Sequence, residues 1–479
     1  MTHTQTVAGK GLALVAAILA VLAGSSAVAQ TAASADTRPN VVVVMTDDQN
    51  VSSLAVMPNV KALLANAGTT FTNSFVAYPL CCPSRASYLT GQYPHNHGVM
   101  ANVAPDGGYY QLRGDETLPV WLSRAGYQTA HIGKYLNGYG TQNPLEIPPG
   151  WGEWYGSVDP STYRMWGYTL NENGTLVTYG QDDVEDPALY QTDVYAKKAV
   201  DYINRRAPAD VPFFLSVAPL APHTEGGWAA THGNRNPRPA PRHRGAFADA
   251  PLPMPASFNE ADLSDKPAHI RALPLLDSAA IAQITKTYRS RLESLLAIDE
   301  AVKSIVDALA ARGELNRTLF LFTSDNGWLQ GEHRIPNGKI HPYEESIRVP
   351  LIMRGPGVAA GATNTALAGN IDLAATVLAA TNTAAAITID GDPLLGTTPA
   401  RPALLAETGP RSTGARWYAA IRTARFVYVE HSTTERELYD LSVDPNQLLS
   451  RHADPAYAQI RAALAEQLHR LQACAGQTC

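Results

Sequence analysis

Short apolar runs alternate with helical stretches through most of the chain. Residues 40–45, Asn-Val-Val-Val-Val-Met, form a continuous β-branched run. Such a run predicts a strand buried on both faces, as in a parallel sheet. It stops at Thr46-Asp47-Asp48-Gln49. Residues 57–67 have helical spacing and stop at Gly68; 117–125 predict a helix and 127–132 a strand. Residues 212–219, Pro-Phe-Phe-Leu-Ser-Val-Ala-Pro, predict a second buried strand that leads into Leu220-Ala221-Pro222-His223. Between 279 and 311 the pattern is helical, with Leu292, Leu295, Leu296 and Ile298 on one face and Gly313 just past its end. Residues 318–323 predict another buried strand, running into Ser324-Asp325-Asn326-Gly327. Strands that alternate with helices predict an α/β fold with a largely parallel sheet.

From about residue 400 the texture changes. Residues 418–421, 426–430 and 437–440 read as short antiparallel strands, and 455–474 as a terminal helix. The expected organisation is an α/β domain over 38–400 and a smaller subdomain over 401–479. Residues 228–275, rich in Pro, Arg and His, are expected to be a surface excursion rather than core.

The chain has 479 residues, 45% of them hydrophobic, enough for a large packed core. A formal charge of −6 with no long basic run argues against a nucleic-acid partner. The N-terminus reads as a leader: Lys10, an apolar stretch over 12–22, and Ala27-Val28-Ala29 as a cleavage site. Residues 1–29 are expected to be removed, which implies a secreted or periplasmic protein with no stable membrane anchor; an uncleaved anchor is the competing reading. The stretch is too short to span a bilayer comfortably. Of four cysteines, Cys474 and Cys479 either close a small C-terminal loop as a disulfide or remain two thiols on the tail.

Asp47-Asp48 and Asp325-Asn326 each follow a predicted buried strand, where sites gather in open α/β sheets. Three carboxylates and an amide oxygen make a hard, oxygen-rich site suited to calcium or magnesium. Taken singly, each pair is also a common turn or cap.

The densest signal is Leu80-Cys81-Cys82-Pro83-Ser84-Arg85-Ala86-Ser87-Tyr88-Leu89-Thr90-Gly91, in which a helix is expected to start from Ser84. It resembles the Cys-x-Pro-Ser-Arg…Thr-Gly signature of the type I, formylglycine-dependent sulfatases. The resemblance implies that Cys81 is oxidised by a formylglycine-generating enzyme to an aldehyde (3-oxoalanine), whose hydrate attacks sulfur. It places Asp47, Asp48, Asp325 and Asn326, with residue 81, around a divalent cation, calcium ahead of magnesium. Arg85 would hold the nucleophile. In Gly126-Tyr127-Gln128-Thr129…Gly133-Lys134-Tyr135-Leu136-Asn137, Lys134 would bind the sulfate. Many sulfatases have a His two residues after this Lys, where this chain has Leu136. The Gly-Lys-Tyr-Leu-Asn wording resembles the N-acetylglucosamine-6-sulfatases and heparan endosulfatases. Pro222-His223 matches the family's post-strand Pro-His, so His223 would protonate the leaving alcohol; a structural histidine is the bland alternative. Lys339, ahead of Tyr343-Glu344…Val349-Pro350, would also contact sulfate. Pro94-His95-Asn96-His97-Gly98 resembles the same branch, and either His95 or His97 lines the substrate mouth or makes a structural hydrogen bond.

The implied fold is alkaline-phosphatase-like, with a central mostly parallel sheet flanked by helices and a small C-terminal antiparallel sheet. The implied activity is hydrolysis of sulfate esters on sulfated sugars, glucosamine-6-sulfate-like, or on aryl sulfates. The rivals are a phosphonate or phosphate ester hydrolase, and a glycan-binding relative with a dead site.

Overall fold

The computed structural model describes residues 36–208, 210–226, 236–396, 401–409 and 417–479. The expected leader, 1–29, and residues 228–235 lie outside these. The main sheet has ten strands: β1 (Asn40–Thr46), β2 (Thr69–Phe75), β3 (Gln128–Gly133), β4 (Glu153–Ser157), β5 (Tyr168–Glu172), β6 (Thr175–Tyr179), β7 (Phe213–Ala218), β8 (Thr318–Ser324), β9 (Leu351–Arg354) and β10 (Ala362–Gly369). Their order is β10-β2-β9-β8-β1-β7-β3-β4-β5-β6. The run β8-β1-β7-β3-β4 is parallel throughout, whereas β9 and β5 run against their neighbours.

Every residue of β1, β7 and β8 is buried. This is why their sequences read as continuous apolar runs rather than alternating ones. The two sides of the sheet form separate cores. Val42, Val44, Leu215 and Phe320 face one side, with helix residues Leu295, Ile298 and Val302. Val41, Val43, Phe214 and Leu321 face the other, with Trp121, Leu122 and Val377.

The principal helices are α1 (Cys81–Thr90), α2 (Leu118–Arg124), α3 (Gln191–Arg206), α4 (Ser278–Ala311), α5 (Asp372–Thr381) and α6 (Ala458–Leu471). A second sheet, β11 (Ala403–Glu407), β12 (Tyr418–Thr423), β13 (Phe426–His431) and β14 (Arg436–Asp440), is antiparallel throughout. Leu464, Leu468 and Leu471 of α6 pack on its Leu405, Ile421 and Leu438. Cys474 and Cys479 are joined in a disulfide just beyond α6.

Two expectations need correction. The stretch 57–67 is not one α-helix: Pro58–Val60 is α-helical, and Lys61–Ala65 widens into a π-turn. The excursion over 228–275 has little regular structure in its described part, yet it is not superficial. Arg238, Ser257, Glu260, Leu263 and Lys266 are buried, and Arg238 bonds Glu225 (Nε to Oε2, 2.6 Å) and Asp182 (Nη2 to Oδ1, 2.7 Å). Among the described residues no helix is long and apolar enough to cross a membrane.

Candidate active site

Register brings the polar strand-ends together. Thr46, last in β1, lies opposite Ser324, last in β8, so Asp47-Asp48 and Asp325-Asn326 leave the sheet side by side. Gly133 at the end of β3 lies opposite Ala218 at the end of β7. Lys134 therefore emerges beside the segment that leads to His223, and its N–H donates to Ala218 O at 2.9 Å. Gly133 has φ +104°, and a Cβ there would lie 2.3 Å from Ala218 O, so this crossing requires glycine.

Cys81 is the first residue of α1, where a helix start near Ser84 is the natural expectation from the motif. Pro83 explains the difference: in a first turn its missing N–H costs nothing. Leu80 before it is extended, and Gly91 at φ +69° ends the helix. The reactive position thus lies at the positive end of a helix dipole.

Cys81 Sγ is 3.5 Å from Asp47 Oδ1 and 2.9 Å from Lys339 Nζ. Arg85 ties three segments together. Its Nε donates to Asp325 Oδ2 at 2.8 Å, its Nη1 to Lys134 O at 2.8 Å, and its Nη2 to Asp47 Oδ2 at 3.3 Å. Lys134 also donates to Asp47 Oδ2. Lys339 donates to Asp48 Oδ1, which accepts from Asn326 Nδ2 at 2.6 Å as well. The Asp48 N–H donates to Asp325 Oδ1 at 3.1 Å. His223 Nδ1 donates to Thr224 O at 2.5 Å, which leaves Nε2 directed at Asp48 Oδ2, 3.6 Å away.

Burial raises the pKa of Asp47 and of Asp48. The neighbouring cations outweigh it, Lys134 foremost for Asp47 and Lys339 for Asp48, and hold both below the usual carboxylate range. Burial opposes the charges on Lys134 and Lys339, yet Asp47 and Asp48 respectively lift both pKa values above the lysine range. Burial pushes His223 below its ordinary value against Asp48 and Asp47. Burial and Asp47 push the Cys81 thiol up to about 12. At neutral pH it stays protonated, and so is a poor nucleophile as a thiol.

The donors fit a hard cation. Asp48 Oδ2 is buried with no hydrogen-bond partner among the described residues. Ligand atoms of Asp47, Asp48, Cys81 and His223 all lie within 4.8 Å of one another. Asp325 lies outside that close group; its oxygens accept from Arg85 and the Asp48 N–H, and Asn326 Oδ1 lies 3.4 Å from Lys339 Nζ.

His97 is placed differently. Its Nδ1 accepts from Val99 N at 3.1 Å and its Nε2 is bonded to Ser87 Oγ at 3.0 Å. Burial drops its pKa to about 3, and no hydrogen bond among the described residues ties it to the cluster. His95 bonds Glu407 Oε1 and Cys474 O, at 2.6 and 3.0 Å. Leu136 points into the core with Leu89 and Leu122.

Two residues not singled out from the sequence belong to the site. Arg291 of α4 is buried and donates to Asp48 O, to Pro222 O at 3.0 Å and to Asn50 Oδ1 at 3.2 Å. Asp48 has φ +67°, a conformation that needs such support. Tyr163 lies with its ring centroid 4.8 Å from Lys134 Nζ and 5.1 Å from the His223 ring. Neither stands in a motif. An Arg in mid-helix and a Tyr in a loop carry no local signal.

The sulfatase family model matches residues 39–383, and one described as N-sulphoglucosamine sulphohydrolase, C-terminal, matches 331–474. An arylsulfatase of Volvox carteri is 34% identical over 94% of this chain and 77% of its own length. An N-acetylglucosamine-6-sulfatase of Capra hircus is 32% identical over 94% of this chain and 86% of its own. A solved complex of a protein with its substrate D-glucosamine-2-N,6-O-disulfate superposes with a TM-score of 0.75. That protein is 26% identical and is matched over 91% of this chain and 98% of its own.

Proposed function

The chain belongs to the sulfatase family, and from that premise we propose that it removes 6-O-sulfate from glucosamine-type sugars with a nucleophile made from Cys81. That it is a sulfuric ester hydrolase follows from the family itself. One observation supports the reading of Cys81 as the source of the nucleophile: it opens a helix inside a buried ring of Arg85, Lys134 and Lys339 set against Asp47, Asp48 and Asp325.

Oxidation of Cys81 by a formylglycine-generating enzyme supplies a hydrated aldehyde where the thiol is inert. A divalent cation, calcium ahead of magnesium, would be held by Asp47, Asp48, residue 81, Asp325 and Asn326, and it supplies charge stabilisation at the sulfuryl oxygens. Lys134 and Lys339 are already desolvated and charged, so they need no reorganisation to meet the negative charge that grows on the sulfuryl group. Arg85 fixes the carboxylates and the Lys134 backbone in one rigid unit. With Nδ1–H held by Thr224 O, His223 acts as the acid at Nε2 in its imidazolium form, a charge that burial opposes and Asp48 and Asp47 favour. The growing charge on the departing alcohol oxygen draws that proton across. Sugar alcohols leave poorly, so this proton matters more for them than for phenols. His97 has both ring nitrogens engaged and is left out of the mechanism.

The glucosamine reading rests on the relatives, an N-acetylglucosamine-6-sulfatase and a protein whose substrate is D-glucosamine-2-N,6-O-disulfate. Residues 401–479 are read as a smaller subdomain of the same enzyme, and residues 1–29 as an export leader. The test is a screen of matured enzyme on defined sulfated sugars beside 4-nitrophenyl sulfate and an aryl phosphonate. Preference for glucosamine 6-sulfate is expected. A higher kcat/KM on the phosphonate would replace this reading with that of a phosphonate ester hydrolase, and turnover of none of them would make the chain a dead relative.

A further inference from the structure

We propose that Tyr163 is the positioning residue that sets Lys134 and His223 toward the scissile ester. The proposal rests on the roles given to those two residues above. Tyr163 closes a short turn, Ser161–Tyr163, between β4 and β5. It reaches both loops of the site by separate contacts. On the Lys134 side, its hydroxyl accepts from Asn137 Nδ2 at 2.5 Å, three residues beyond Lys134. Its ring lies 4.8 Å from Lys134 Nζ, whose other side meets Asp47. On the His223 side, its ring is inclined 52° to the imidazole with centroids 5.1 Å apart. Its carbonyl also accepts from Gly226 N at 2.8 Å, which fixes the end of the His223 segment. Asp47 joins the same two segments from the other side, its carboxylate accepting from Lys134 and its N–H donating to Ala221 O at 3.5 Å.

The physical consequence is directional. An ammonium held between a carboxylate and an aromatic face has few orientations left, and the aromatic face replaces water on that side. An imidazole leaning on the same ring is likewise kept from turning away from Asp48. Leu136, two residues after Lys134, is packed in the core, so Asn137 is the polar side chain this segment offers to the wall. The phenol itself is not a base, because burial pushes its pKa well above the ordinary tyrosine value even though Lys134 opposes the shift.

The test compares Tyr163→Phe and Tyr163→Leu on two esters with different leaving groups: glucosamine 6-sulfate, a poorly leaving sugar alcohol, and 4-nitrophenyl sulfate. Phe keeps the ring and the backbone contact, so a loss of about threefold or less on both substrates is expected. Leu removes the ring. Misplacing an acid by about an ångström costs on the order of 100-fold where proton donation is needed. The expected loss in kcat/KM, mainly in kcat, is therefore about 100-fold on the sugar ester and about 10-fold on the aryl ester. A merely structural role would lower both by one factor, as a smaller folded fraction does. Equal losses, or none, would overturn the proposal. His223→Ala is measured alongside. If its loss does not depend on the leaving group, the mechanism beneath the proposal falls; if it does and that of Tyr163→Leu does not, the Tyr163 inference falls alone.

Discussion

Arg291→Leu is the sharpest probe of how the site is held from behind. The substitution removes donors to Asp48 O, Pro222 O and Asn50 Oδ1 and leaves the space apolar. Asn50 is partly exposed, so water can serve it. The Asp48 and Pro222 carbonyls are left as buried acceptors, each costing about 1–3 kcal/mol unsatisfied. Part of this is offset by removing a charge that is itself disfavoured: burial depresses the Arg291 pKa to about 10 against Asp48 and Asp47. A net loss of about 3 kcal/mol follows, or roughly 3 °C in Tm for a chain of this length. The larger effect falls on chemistry. Asp48 holds φ +67°, and its backbone is released toward an easier conformation when its carbonyl loses Arg291. Asp48 and His223 then both drift, and kcat/KM falls on the order of 100-fold. Differential scanning calorimetry and steady-state kinetics on 4-nitrophenyl sulfate read the two effects separately. Arg291→Lys, which keeps the charge but not the fork, falls between. A variant that loses the expected stability yet keeps kcat/KM within about twofold would refute the claim that Arg291 positions Asp48.

Cys81→Ala abolishes turnover, whereas Cys82→Ala, whose side chain lies in the core beside Ala86 and Leu89, keeps most of it at a cost of about 1 kcal/mol in denaturant unfolding. Asp325→Ala loses metal and activity together by elemental analysis and kinetics; stoichiometric zinc in wild-type enzyme would contradict a hard-cation site. His131 is buried and burial pushes its pKa to about 3, below the ordinary 6.5. It therefore contributes stability that is fully present above about pH 6.5 and lost as the pH falls toward 3, so His131→Phe flattens the acid limb of ΔG against pH by about one proton in urea titrations. An unchanged slope would show that His131 takes up no proton on unfolding.

The strands that carry the site were legible because they are buried on both faces, and their apolar runs end where the polar residues begin. Val41–Val44 of β1 are flanked by β7 and β8, so nothing in them alternates. The edge regions were less legible. In β6, Leu176 is exposed and Val177 half-buried, and such a strand shows no strong pattern. The start of α1 was misjudged because Pro83 looks like a barrier when it is only a first-turn residue. His97 drew attention through its segment, but local bonds to Ser87 and Val99 use up its ring, which spacing alone does not reveal. Arg291 was invisible for a further reason: its partners Pro222 and Asp48 lie 69 and 243 residues away in sequence.

The central claim is that residue 81 is converted from thiol to aldehyde and that activity follows the conversion. Trypsin releases residues 62–85 as one fragment holding both cysteines. Tandem mass spectrometry of that fragment from active enzyme, set against specific activity across preparations, tests the claim most directly. The account predicts an aldehyde at Cys81, an intact thiol at Cys82, and activity proportional to the converted fraction. A fully active preparation with an unmodified Cys81 would contradict it.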